Sequence, residues 1–238
     1  MKNIAPTLAA LLALVNAPYA LAQASCSSDG APQPVVVFER FISADCEACW
    51  SDAKTPAPSA AAGAMVLDWI VPGRAADDAP LSAAATNDAL VRLQALGRKL
   101  PATTDVHIAT VEAPSPSKLR VAQGLPFNDY LGTAIAFTPS RAAPRHNTPD
   151  SRWSFHLLLV EAVPAGTDGT AVPRQIVRNM LQGTWGPQDK PTQGSAHRWM
   201  EARSMRIAEG ANAERLHLVG WVQDPTGRIV AAAQSVCR

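Results

Sequence analysis

Hydrophobic positions along the chain change their spacing twice. The first run, Ile4 to Val15, follows Met1-Lys2-Asn3 and gives way to small residues at Ala20-Leu21-Ala22 and Ala22-Gln23-Ala24. A positive start, an apolar stretch and a small-residue site predict a secretory signal over residues 1–24, cleaved near Gln23 or Ser25. Asn16 and Pro18 interrupt the run, which is short of the roughly 20 residues a spanning helix needs. Lipidation of Cys26 is disfavoured, because Gln23 stands where a lipoprotein signal carries a leucine-like residue.

The next runs are short and dense. Val35 to Ile42, β-branched and aromatic, predicts a buried strand, and Ala64 to Val71 a second one that closes at Pro72-Gly73. Between them lies Ser43-Ala44-Asp45-Cys46-Glu47-Ala48-Cys49-Trp50, which predicts a helix capped by Asp45 or Ser43 and limited by Pro56 and Pro58 to two or three turns. Ser82 is the expected cap of a second helix through Leu96, with Leu90, Leu93 and Leu96 on one face and Gly97 as its stop. The order is strand, Cys-x-x-Cys helix, strand, helix.

Beyond Pro101 helical spacing yields to period two. Strands are expected at Asp105–Val111, Lys118–Ala122, Thr133–Thr138 and Trp153–Glu161, where Trp153, Phe155, Leu157 and Leu159 share a face. Leu216, Leu218, Gly220 and Val222 alternate up to Asp224-Pro225-Thr226-Gly227, a type I turn signal, and the chain returns through Ile229-Val230. Pro173–Leu181 and His197–Ile207 fit strand or helix equally. The pattern predicts two units, residues 33–100 and 101–238, the second β-rich and sandwich-like.

Composition narrows the function classes. With 21 Lys+Arg against 20 Asp+Glu the formal charge is +1, and zero once Lys2 leaves with the signal, so neither nucleic-acid binding nor long-range steering is expected. The apolar fraction of 47% includes 44 alanines, which dilutes the core. Twenty prolines against 14 glycines favour short elements and turns over a helix bundle. No nucleophile elbow, phosphate loop or His-Glu-x-x-His occurs, and no cofactor is implied. Of the six tryptophans, Trp50, beside Cys49, is placed to cover a bond there; core packing is the ordinary role of the others.

Candidate chemistry rests on Cys26, Cys46, Cys49 and Cys237. In an oxidising compartment they are read first as disulfides. Of the three connectivities, pairing the distant Cys26 with Cys237 leaves Cys46 with Cys49. A Cys-x-x-Cys after a buried strand and at a helix start is suited to exchange, with Cys46 the attacking sulfur and Cys49 the resolving one. Asp45 and Glu47 oppose a second negative charge at Cys46, which predicts a weak oxidant. Two other readings stay open: a structural clamp, and a Cu(I) site using the pair. His107, His146, His156, His197 and His217 show no ligand spacing, and His156 and His217 fit ordinary sheet positions.

The segment Glu39-Arg40-Phe41-Ile42-Ser43-Ala44-Asp45-Cys46-Glu47-Ala48-Cys49 resembles the opening of an exported bacterial thioredoxin-like family of unknown function, with Glu39, Phe41, Ser43, Cys46 and Cys49 matching by position. Ile176-Val177-Arg178, Gly183-Thr184-Trp185-Gly186 and Val219–Ala233 are similar to that family's β-rich carboxyl-terminal part. The chain has Trp50-Ser51 where the family carries prolines, and lacks its Thr-Pro-Gln loop. The resemblance implies an α+β fold: an abbreviated thioredoxin-like α/β unit, followed by a β-sandwich-like unit. The expected function is thiol-disulfide exchange in the periplasm or outside the cell, with exported thiol or disulfide proteins as partners. The alternative is a non-catalytic binding or structural module held by two disulfides, and the third reading is copper binding.

Overall fold

The computed structural model describes residues 25–52, 57–58, 62–112, 117–140, 152–186, 189 and 199–237. The predicted signal over residues 1–24 lies outside them, as do His146 and His197. The strands are β1 (Cys26–Ser27), β2 (Val36–Ser43), β3 (Ala64–Val71), β4 (Thr104–Thr110), β5 (Lys118–Phe127), β6 (Tyr130–Thr138), β7 (Trp153–Val163), β8 (Arg174–Trp185), β9 (Trp199–Arg206), β10 (Leu216–Gln223), β11 (Ile229–Gln234) and β12 (Val236–Cys237). Among the described residues two α-helices join them, α1 (Glu47–Ser51) and α2 (Asn87–Ala95).

A seven-stranded sheet runs in the order β11-β10-β7-β8-β3-β2-β4, and a five-stranded sheet in the order β12-β1-β5-β6-β9. With 52% of the described residues in strands, the fold is β-rich. This corrects the expected α+β class with its thioredoxin-like α/β unit. The parallel pair β2–β3 and its connection through α1 do form a β-α-β step, with Val36 opposite Ala64 and Ser43 opposite Val71. The pair gains one further parallel neighbour, β8, which itself pairs antiparallel with β7, so no α/β layer of alternating strands and helices continues from it. Antiparallel β4 closes one side of it, and β8 joins the other through Asp68 and Ile176. The period-two strands of the later chain thus complete the sheet that the early strands begin, and edge hydrogen bonds are satisfied there without additional helices.

Each face of the larger sheet is covered differently. On one face α2 packs Ala89 and Leu93 against Val37, Phe41, Leu67, Trp69, Val160 and Trp221. On the other face the five-stranded sheet covers β7 and β10, joining Val121, Ile135 and Phe137 to Phe155, Leu157, Leu159 and Leu218. Gly220 belongs to this contact: a Cβ there would come within 2.8 Å of the Val121 side chain. Farther along the same face, α1 and the turns after β3 cover Ile42, Ile70 and Ile176.

Local chemistry sets the ends. Ser82 opens only a 3-10 turn, and its hydroxyl donates to the Asp77 carbonyl. The cap of α2 is Thr86, whose hydroxyl accepts from the Ala89 N–H. Gly97, at φ +64°, ends α2 as expected, with the Arg98 N–H returning to the Leu93 carbonyl. The two segments that fitted strand or helix equally are strands, β8 and β9, because each has an antiparallel partner, β7 and β6 respectively. In the turn after β10 the Asp224 carboxylate accepts from the N–H groups of Thr226 and Arg228, and Gly227 takes φ +86°.

His156 is buried and His217 half-buried, and each is held neutral near pH 7. His156 stacks on Trp221 with ring centroids 4.6 Å apart, and burial, with the Arg92 charge beside it, lowers its pKa to about 3. Burial lowers His217 to about 4. Below pH 6.5 the unfolded chain therefore binds protons that the folded chain refuses. Stability present above pH 6.5 should fall as pH drops towards 4, by up to about 1.4 kcal/mol per pH unit for each histidine. Urea unfolding at pH 7.5 and 5.5 checks this; equal midpoints would show that neither imidazole is excluded from protonation.

Candidate functional site

Cys46 and Cys49 form a disulfide, and Cys26 and Cys237 form the other; no described cysteine is free. The first bond lies just past the carboxyl end of β2, where the chain leaves the sheet and turns into α1. Asp45 and Ser43 do not cap that helix. Cys46 itself occupies the N-cap position without a side-chain hydrogen bond, and the helix is five residues long rather than two or three turns. The Asp45 carboxylate turns instead to the loop after β3, where it accepts from the N–H groups of Arg74 at 2.7 Å and Ala75 at 3.2 Å. Gly73 makes room for it, since a Cβ there would collide with the carboxylate. The carboxylate adjoining Cys46 is thus engaged with backbone donors.

The two sulfurs differ in surroundings. Cys46 and Cys49 are both half-buried, but only Cys49 packs against the cluster of Ile42, Ala44, Trp50, Ile70, Val163 and Ile176. Trp50 is directed into that cluster, and its indole N–H donates to the Asp168 carbonyl at 2.6 Å.

The carboxyl end of α1 is held from a distant strand. Arg174, at the start of β8, is fully buried and donates from Nη2 to the carbonyls of Cys49 at 3.1 Å, Trp50 at 2.5 Å and Asp52 at 3.2 Å. Its Nε also donates to the Trp50 carbonyl, and its guanidinium lies 5.3 Å from the Trp50 ring centroid. Helix-end carbonyls without intrahelical partners are what such a cation satisfies. Behind it, Arg40 on β2 donates to Asp68 Oδ1 on β3 at 2.7 Å, and Asp68 Oδ2 accepts from the Gln175 N–H. Burial, then the like charge of Arg40, lowers the Arg174 pKa from its ordinary value. A guanidinium remains charged nonetheless.

This support was hidden in the sequence. Arg40 and Asp68 interrupt two apolar strands, which is a signal for a buried ion pair. Arg174, 125 residues from Cys49, carries no local signal. Among the described residues no group of three or more His, Cys, Asp or Glu side chains is placed to hold a metal. His107, His156 and His217 lie on β4, β7 and β10. No helix of the described residues is long and apolar enough to cross a membrane.

No protein-family model and no curated protein matches the chain. Among solved structures it is similar to HBP35 of Porphyromonas gingivalis, with a TM-score of 0.50 over 86% of this chain and 76% of that one, at 11% sequence identity. At that identity the likeness concerns the fold alone.

Proposed function

We propose that this is an exported protein that exchanges disulfides with other exported proteins through Cys46 and Cys49. The observation that carries the reading is the asymmetry of the bond: Cys49 packs against the inner cluster while Cys46 caps the helix without a side-chain partner. A thiolate of the partner attacks Cys46 Sγ, forming a mixed disulfide and releasing the Cys49 thiolate. The partner's second thiolate then displaces Cys46, leaving a partner disulfide and both cysteines reduced; two electrons move, and the protons follow by the pKa of each thiol. The Glu39-x-Phe41-x-Ser43-x-x-Cys46-x-x-Cys49 resemblance and the terminal secretory pattern support the same reading.

A structural role is the second reading, and one observation favours it: Asp45 and Arg174 fasten both sides of the Cys-x-x-Cys turn. Equilibrating the full mature chain with glutathione buffers separates the two. Exchange chemistry expects a potential between about −120 and −270 mV, and a value well below about −300 mV would assign the bond to structure.

A further inference from the structure

We propose that Arg174 is a positioning residue for the Cys46–Cys49 pair, whose fixed charge stabilises the Cys49 thiolate released when the bond opens. This rests on the exchange reading above. Three observations point to it. The guanidinium is fully buried, and one of its amino groups donates to the carbonyl of Cys49 itself, so charge and sulfur belong to one small neighbourhood. Its Nη1 is buried without a hydrogen-bond partner, the facing carboxylate oxygen of Asp68 lying 4.0 Å away. That carboxylate is already bound by Arg40 at 2.6 Å, so two guanidiniums face it behind α1.

Clamping the helix end accounts for the hydrogen bonds of Nε and Nη2 but leaves Nη1 without a partner. Helix-end carbonyls are satisfied at the surface by water or by an exposed cation, without the desolvation of a buried one. A buried, incompletely paired cation is costly to fold around, yet it attracts any negative charge that forms beside it in a medium of low dielectric. Cys49 acquires such a charge in the exchange step. Glu47 and Asp52 on its own segment disfavour a thiolate, as does Asp45 ahead of Cys46, while Asp168 from the loop after β7 does so less because Arg215 pairs with it at 3.2 Å. From the sheet come Arg40, Asp68 and Arg174. In this setting Arg174 offsets the local carboxylates that alone would make Cys49 a poor leaving group.

The test uses charge changes of opposite sign. Arg174→Gln removes the cation, whereas Asp68→Asn removes the carboxylate that partly neutralises it. Each is made in the full chain and, separately, in a Cys46→Ser background in which Cys49 is a lone thiol. Expected for Arg174→Gln is a tenfold fall in the equilibrium constant for reduction by glutathione, about 30 mV, and a rise of about one unit in the pH midpoint of iodoacetamide alkylation of Cys49. Asp68→Asn should move both in the other direction. A merely structural clamp loosened by either variant would move both variants the same way, and that result overturns the proposal. Should Arg174→Gln alone fail to fold, adding it to Asp68→Asn decides: reversal of the Asp68→Asn shift supports the proposal, and an unreversed shift, which freed Arg40 or loss of the carboxylate itself would produce, rejects it. These comparisons are differences from the parent chain, so they are read whatever potential the parent shows; a parent potential in the range assigned above to structural bonds defeats the exchange reading and leaves the Arg174 effect on Cys49 separately measured.

Discussion

Replacing Cys26 and Cys237 together by serine is expected to lower the unfolding free energy by up to about 5 kcal/mol, an upper estimate from loop-closure entropy. The bond closes a separation of 211 residues, nearly the whole described chain, so its loss frees the unfolded state more than almost any other cross-link would. In the folded protein it joins two very short strands that have little else to hold them. β1 and β12 are each two residues long and pair with each other, Cys26 opposite Cys237, while β1 also pairs with β5. Cys26 is buried, whereas Val236 beside Cys237 is exposed. β12 is also the point at which the chain leaves β11 of the larger sheet and enters the smaller one, so the bond fastens the end of that crossover within the smaller sheet. Urea unfolding of the double variant measures the loss. A fall below about 1 kcal/mol, with an unchanged dependence on denaturant, would mean that the unfolded ends are already held near one another.

The second large effect is expected at Glu39→Ala, about 3–5 kcal/mol. Glu39 is fully buried and accepts from Arg92 Nε at 2.8 Å, from Arg92 Nη2 at 2.6 Å and from the Trp69 indole at 3.2 Å. Arg92, itself 3% exposed, crosses from α2 to reach it and lies 5.1 Å from the Trp221 ring centroid. Truncating the carboxylate leaves a charged guanidinium between the helix and the sheet with nothing to neutralise it, together with an indole N–H lacking its acceptor. The paired change Glu39→Gln with Arg92→Met keeps an acceptor for Trp69 and removes the charge, and should recover most of the loss. Unfolding of the two variants decides whether the cost is that of an abandoned charge. If both lose the same amount, packing volume rather than the ion is what Glu39 supplies.

The Glu39 pair also illustrates what could be read in advance. Glu39 stood out only as part of a motif, and Arg92 not at all, because its helix was recognised by Leu90, Leu93 and Leu96. A charged residue inside an apolar run announces that a partner exists. It does not say where the partner lies, since the mate is 53 residues away and arrives on a helix whose rotation is set by packing. Arg174 is the same case at greater range.

The turns were more legible. Asp224-Pro225-Thr226-Gly227 needs no distant partner, because the carboxylate, the fixed proline φ and the glycine at positive φ build the reversal within a few residues. The hairpin between β5 and β6 used equally local chemistry at Asn128 and Asp129, both at positive φ. Its strands extend farther towards that turn than the alternating pattern alone indicated.

By itself the sequence determined the local geometry: the period-two strands, the stop at Gly97 and the Asp224–Gly227 turn after β10. Those outcomes follow from side-chain direction and backbone preference over a few residues. Only the tertiary structure decided that the Cys-x-x-Cys strand joins a β-rich sheet instead of a thioredoxin-like layer, that Asp45 serves the neighbouring loop instead of its own helix, and that Arg174 stands behind Cys49. Strand order and burial of charge depend on contacts between residues far apart in the chain, and their energies exist only once the sheets and helices have met.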